Sequence, residues 1–390
     1  MIAQVINLSP GNIFRYYCDK YAISKGKYSY GLFGLELRGL KIREAEYVFN
    51  KISEKGEKLY QYQNSDDLIS LFLIGSIRKF KIIAGRISDN ASGRLSLKLF
   101  NTINFFESYD LTNYKIGDKL FEFNKAYIMG ILNITPDSFS DGGKYYDRNK
   151  AIAYAFKMLD EGADIIDIGG ESSRPGAERI DSIIEIERII PVLKKILDDR
   201  PDTIISVDTT KRDVAEEALE YGAKIINDIS GGTFEPDIME TVAKHNAAFI
   251  IMHIKGTPQT MQNDPIYGNV VEEVYDDLYK QVKKAESAGI NNIFIDPGIG
   301  FGKTTADNFN LLNRLDDFKS LAHPITIGVS RKSFIGKSLN LEVDERDTPT
   351  SIMEALSIYK GARIIRTHNI KNGVMLRELF NKTNNITAEW

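Results

Sequence analysis

The stretch AYIMGILNITPDSFSDGG, residues 126–143, decides how this chain is read. Its first part, 126–132, is a short apolar run of the length expected for a buried parallel strand. Asn133 stands where the run stops, and Pro136 forbids a continuous strand beyond it. A polar segment follows, with the carboxylates Asp137 and Asp141, hydroxyls, one aromatic ring (Phe139) and the closing pair Gly142-Gly143. Such a loop can hold a metal or a phosphate and still move on glycine hinges. Turn-forming residues are common everywhere, and any five of these would read as an ordinary turn. The whole string, set between a strand and a helical pattern beginning near Asp147, reads as a ligand loop.

Working outward, apolar and often β-branched runs like the first recur at 128–132, 164–168, 203–207, 224–226, 248–252, 292–295, 325–329 and 363–365. A helical pattern follows each, and several end at Gly162, Gly222, Gly289 or Gly361, as helix C-terminal glycines do. Eight strand–helix units over about 260 residues predict an α/β fold, a (β/α)8 TIM barrel. A doubly wound sheet also alternates, but with fewer strands and a topological switch point.

Each run ends in polar groups: Asn133; Asp167 with Glu171; Asp208; Asn227 and Asp228; His253; Asp296; Ser330, Arg331 and Lys332; Arg366 and His368. Any one of them could be a helix cap or a satisfied rim group. In a barrel all eight sets converge on the C-terminal rim, where active sites are built.

The first 118 residues read differently, as a small α/β domain preceding a barrel of residues 119–390. Strands are expected at 32–40, 58–63 and 68–74, and helices at 43–55 and 95–108, giving three strands and two or three helices. No catalytic constellation is visible there. The basic cluster Arg78-Lys79-Phe80-Lys81 reads as a solvated helix face. Gly117-Asp118 is expected to open a hairpin, 119–123 against 126–131, that plugs the bottom of the barrel.

Bulk properties set limits. With 390 residues, 43% apolar and 27% charged, the chain has the composition of a soluble globular protein large enough for a barrel and an appendage. A net charge of −4 argues against general nucleic-acid binding. No apolar run has membrane-spanning length and the N-terminus lacks signal-peptide zones, so neither membrane nor export is expected. The single cysteine, Cys18, can form no internal disulfide and reads as a small apolar residue in a protein of the cytoplasm.

Three further motifs carry chemistry. DPGIGFGKT, 296–304, fails as a Walker A loop because Pro297 stands where its first glycine belongs, and its alternating glycines fail the dinucleotide pattern. It reads as a tight loop with Asp296 aimed into the barrel and Phe301 available for stacking. GGESSRPG, 169–176, holds Arg174 extended before Pro175 so that its guanidinium projects. SRKS, 330–333, and RTH, 366–368, place cations and hydroxyls where barrels commonly bind phosphate. Asn133, Arg366 and His368 together suit an anion and its divalent metal, since an amide oxygen suits Mg²⁺. Asp208, Asn227 and Asp296 suit a ring with adjacent N–H and NH₂ donors, such as a 2-amino-4-oxo pterin, with Lys332 bonding its acceptors.

Taken together, MGILNITPDSFSDGG, GGESSRPG, SVDT, NDISGG, Met252-His253, DPGIGFGK, SRKSFIG and RTH occur in the order of the dihydropteroate synthase family, which residues 119 to about 385 resemble. The resemblance implies a Mg²⁺-dependent transferase of folate biosynthesis, joining 6-hydroxymethyl-7,8-dihydropterin diphosphate to p-aminobenzoate with release of pyrophosphate. It implies that Asn133 binds Mg²⁺ and the diphosphate, and that Asp208, Asn227, Asp296 and Lys332 hold the pterin beside Met252. Arg366 and His368 would bind the diphosphate. Two loops, 134–145 with Asp137 and Phe139, and 171–177, would close over the second substrate, where Ser173, Arg174, Pro175, Phe301 and Ser333 fall; Lys303 is expected among the substrate contacts. Ser173 departs from the threonine of many members. A homodimer and sulfonamide binding are further expectations. The rival reading is a pterin-dependent methyltransferase on the same barrel, which would need Asp208, Asn227 and Asp296 but not Asn133 or the SRKS and RTH cluster.

Overall fold

The pairing of the apolar runs decides the architecture. The computed structural model describes residues 1–24, 32–53, 57–65, 67–87, 93–109, 112–135, 148–174 and 176–384. They divide into two compact units, Met1–Tyr109 with Asp316–Ala322, and Asp110–Leu315 with His323–Trp390.

In the first unit, β1 (Ile2–Asn7), β2 (Phe33–Lys41), β3 (Leu59–Ser65) and β4 (Leu68–Gly75) form an antiparallel sheet of order β1-β2-β4-β3. Alternation sorts the two faces: Val5, Leu35, Leu37, Leu71 and Leu73 enter one buried cluster, while Ile6, Phe72 and Ile74 enter another with Tyr17 and Cys18. Cys18 is thus a packed apolar group, 1% exposed. Four helices, Gly11–Lys20, Ile42–Ser53, Ile77–Arg86 and Gly93–Glu107, complete the described part of this unit. Strand β1 and the helix at 11–20 exceed the three strands and the two or three helices expected from sequence. The strand β1 is short, six residues, and is held by its antiparallel register with β2. The cluster at 78–81 lies on a helix as expected: Lys79 and Lys81 pair with Glu57 and Glu107, and Phe80 is buried.

Two boundaries need correction. The unit boundary falls at Tyr109 instead of residue 118, because β5 (Asn113–Ile116) pairs with β6 (Lys119–Glu122) in the second unit. The segment Asp316–Ala322 joins the first unit because its side chains accept from strand β1: Ser320 Oγ from the Val5 amide at 3.0 Å, and Asp317 Oδ1 from the Asn7 amide at 3.1 Å. The hairpin is therefore β5–β6, not 119–123 against 126–131. Gly117 sits in its two-residue turn with φ +59°, which a glycine adopts without strain.

The second unit is the barrel. Strands β7 (Tyr127–Asn133), β8 (Ile165–Gly169), β9 (Ile204–Asp208), β10 (Ile225–Asp228), β11 (Ala248–Met252), β12 (Asn292–Asp296), β13 (Ile325–Ile327) and β14 (Ala362–Thr367) close into one parallel ring. All eight fall on the apolar runs. Gly162, Gly222, Gly289 and Gly361 stand just past helices with positive φ, as expected. Tyr114, Ile116, Phe121 and Phe123 of the hairpin pack with Met129, Ile165, Ile204, Ile225, Ile250, Phe294 and Ile364 at the N-terminal end of the barrel. The plug is thus present, built from a different strand pair.

Candidate active site

Side-chain alternation along each strand fixes what the barrel mouth contains. The residues packed against the hairpin define the inward face, and the same face two or four residues further on carries Asn133, Asp167, Gly169, Asp208, Asn227, Met252, Asp296 and Arg366. Register places Asn133, Gly169, Asp208 and Asn227 side by side across four strands. Gly169 leaves the gap in this row: a Cβ there would lie 3.5 Å from Asn133 Oδ1 and 3.6 Å from Asp208 Cβ.

Arg366 organises the centre. Its Nε donates to Asp167 Oδ2 at 2.6 Å and its Nη2 to Asp208 Oδ2 at 2.7 Å. Asn227 Nδ2 donates to the same Asp167 oxygen at 3.1 Å. Burial pushes the Asp208 carboxyl up to about 7, reinforced by Asp167, Glu185 and Asp228 and opposed by Arg366. Asp167 was noted in the sequence without a role. Its place on the inward face two residues before Gly169 was the available signal.

Across the mouth, Asp296 is buried at 7% exposure, and its Oδ1 accepts the Gly298 amide at 2.7 Å. Gly298 has φ +69°, and a Cβ there would sit 1.9 Å from the His253 carbonyl oxygen, so only glycine fits. Burial raises the Asp296 pKa, against the pull of Lys332. Lys332 bonds the Ile299 carbonyl oxygen and lies 4.7 Å from the centre of the Phe301 ring. Its ammonium is pushed down to about 8 by burial, against the pull of Asp296. Met252 lies beside Asp296 in the strand register.

Lys303 is held inside the loop. Its Nζ meets His253 Nδ1 at 2.9 Å, the Phe301 carbonyl at 3.0 Å and the His253 carbonyl at 3.3 Å. These contacts hold Lys303 within the loop, bonded to the backbone of Phe301 two residues before it. Asp228 is likewise internal, accepting from Ser230 and from the Gly232 amide. Arg331 takes φ +56° and binds Asp347 through two hydrogen bonds of 2.7 and 3.0 Å, so its charge is already paired. His368 Nδ1 lies 3.0 Å from Ser330 Oγ. Burial and then Arg366 and Arg331 push His368 down to about 4, leaving a neutral imidazole at pH 7. Ser173 is half-buried; Arg174 and Ser333 are exposed. Asp137, Phe139 and Pro175 lie outside the described residues.

The expected Mg²⁺ can be tested against the donor set. Among the described residues no group of three or more His, Cys, Asp or Glu side chains could hold a metal. Mg²⁺ that keeps waters and substrate phosphate oxygens needs only one or two protein oxygens. Asn133 Oδ1, flanking the side-chain-free Gly169 beside Asp208, meets that requirement.

The comparisons agree with this geometry. The family model described as "Pterin binding enzyme" matches residues 129–368. The chain is 46% identical over 260 residues to a dihydropteroate synthase of Synechocystis sp., covering 66% of this chain and 90% of that protein. Among solved structures, the Yersinia pestis dihydropteroate synthase with a sulfonamide drug complex superposes with TM-score 0.66 at 36% identity, covering 70% of this chain and 99% of that one. The Xanthomonas albilineans dihydropteroate synthase with 4-aminobenzoic acid gives TM-score 0.66 at 34% identity, covering 70% and 98%. The chain belongs to the pterin binding enzymes and, within them, to the dihydropteroate synthase family.

Proposed function

We propose that the barrel mouth joins 6-hydroxymethyl-7,8-dihydropterin diphosphate to p-aminobenzoate, releasing pyrophosphate and forming 7,8-dihydropteroate. The carrying observation is the row Asn133–Gly169–Asp208–Asn227, set opposite the buried Asp296 and bridged by Arg366. Asp296 accepts the paired donors of the pterin edge, and Asn227 and Lys332 read its remaining groups. Arg366, still offering Nη1, and the neutral His368 donate to the diphosphate as charge develops on it. Asn133 would hold Mg²⁺, which when bound supplies neutralisation of the departing pyrophosphate. The C–O bond to pyrophosphate breaks, the carbocation is delocalised into the pterin held by these contacts, and the arylamine nitrogen forms the new C–N bond and loses its proton. No side chain acts as a nucleophile in this scheme.

The arylamine lies, in this reading, on the side of Ser173, Arg174, Phe301 and Ser333, where a sulfonamide would compete with it. Asn133 and the cationic cluster favour this reaction over corrinoid methyl transfer. We also propose a cytoplasmic homodimer. Its support is a set of exposed apolar side chains, Ile352, Leu356, Tyr359, Met375 and Leu379, on the helices Asp347–Tyr359 and Ile370–Asn384. Among the described residues no helix is long and apolar enough to cross a membrane. The direct test is purified protein with the pterin diphosphate, Mg²⁺ and p-aminobenzoate: dihydropteroate should accumulate with stoichiometric pyrophosphate. Its absence from active, folded protein refutes the proposal.

A further inference from the structure

We propose that Lys211 is a positioning residue, tethering the loop of residues 171–180 to the turn that follows Asp208. The inference rests on the proposed reaction, in which that loop borders the arylamine.

Lys211 lies outside the mouth and is only 6% exposed. Its Nζ donates to Glu171 Oε2 and to Glu185 Oε2, each at 2.5 Å. Glu185 is fully buried in the first turn of the helix Ser182–Asp199, so one arm of this bridge is anchored in packed structure. The other arm begins the loop: Glu171 directly follows Gly169-Gly170 at the end of β8. The same Oε2 of Glu171 also accepts the Ile180 amide at 3.0 Å, which closes the loop across its base. A second tie lies nearby, where Arg179 Nη2 donates to Thr210 Oγ1 at 3.3 Å. Both ends of the loop are therefore fastened to residues 210 and 211, two and three positions after Asp208. Lys211 is itself set by the turn, its amide donating to Thr209 Oγ at 3.2 Å.

An ammonium between two carboxylates at a desolvated site gives strong, directional bonds. Here the consequence is mechanical. The strand end that presents Asp208 to the pterin also holds the base of the loop that carries Ser173 and Arg174. Removing the Glu171 arm should free the loop while leaving Asp208 in place.

Glu171→Gln and Lys211→Arg separate this role from general destabilisation, which Lys211→Met would not. Lys211→Met leaves Glu185 buried without its partner and can unfold the protein. Glu171→Gln keeps the Lys211–Glu185 pair and loosens only the loop. For Glu171→Gln, KM for p-aminobenzoate should rise about tenfold, the scale of one lost charge-assisted hydrogen bond. The calorimetric Kd for the pterin diphosphate should stay within about twofold. Trypsin should cut the Arg179–Ile180 bond faster in the full-length variant than in the wild-type chain. Lys211→Arg, which preserves both pairings, should keep the wild-type cleavage rate. Unchanged KM and unchanged cleavage at Arg179 overturn the tether, as does an equal loss of affinity for both substrates. If the wild-type protein makes no dihydropteroate, the proposed reaction falls, while the cleavage rates still decide whether Lys211 and Glu171 hold the loop.

Discussion

Arg366 and Asp167 stand 199 positions apart in the chain, yet Nε of one meets Oδ2 of the other at 2.6 Å inside the barrel. Asp167 is fully buried, and the Asn227 amide shares the same oxygen. Asp167→Ala should leave Arg366 with Asp208 alone and Asn227 without an acceptor. Breaking a buried pair costs about 3–5 kcal/mol. We expect a lower Tm in calorimetry and at least a tenfold weaker Kd for the pterin diphosphate; a normal Kd would remove Asp167 from the account of Arg366.

Asp296→Ala should abolish measurable pterin binding. The carboxylate is buried and already oriented by the Gly298 amide, so its loss leaves the ring's paired donors without a charged acceptor. The expected cost is about 2–4 kcal/mol. Titration calorimetry with the pterin diphosphate reads it directly, and wild-type affinity would sink the assignment.

On the proposed function, the depressed Lys332 ammonium should make pterin affinity depend on pH. Its pKa of about 8 lies below the ordinary lysine value because of burial. Below pH 8 the group is charged and, in the proposed function, would donate to the ring; as pH rises through about 8 the proton leaves and affinity should fall. For stability the sign is opposite: the unfolded chain binds the extra proton between about 8 and 10.5, so this group favours folding more as pH rises across that window. Lys332→Arg should move the loss of affinity to higher pH, measured as Kd against pH.

Glu354, in the helix Asp347–Tyr359, is 1% exposed, and burial raises its pKa from 4.5 to about 7. A raised folded pKa contributes stability that is complete below about 4.5 and lost as pH rises through 7. Glu354→Gln should therefore match the wild-type chain near pH 4 and exceed it by roughly 3 kcal/mol above pH 8. Denaturant unfolding at the two pH values gives the comparison.

All candidate site residues belong to the second unit. A chain starting at Asp110 keeps the hairpin β5–β6 that closes the barrel, whereas one starting at Lys115 would cut β5. Because Asp316–Ala322 loses its β1 partners in either truncation, Tm should fall. Turnover per folded molecule should persist; a folded but inactive truncation would show that the first unit takes part in catalysis.

Much of this protein was legible before any coordinate. Residues 128–132 and their seven counterparts all became barrel strands, because a strand buried on both faces must be apolar throughout and can be recognised locally. Asn133, Asp167, Asp208, Asn227, Asp296 and Arg366 reached the mouth for the same reason: parallel strands put all their C-terminal ends on one side. Three things were decided only by tertiary structure. Lys303 and Arg331 read as ligand-facing cations, yet packing gave one to the His253 and Phe301 carbonyls and the other to Asp347. Lys211 reads as an ordinary lysine until Glu171 and Glu185 are brought to it from 40 and 26 positions away. The segment Asp316–Ala322 lies within the barrel's span of sequence but folds with the first unit. Composition and periodicity report which face of an element is apolar; which polar groups meet across elements depends on register and loop path, and no local pattern records those.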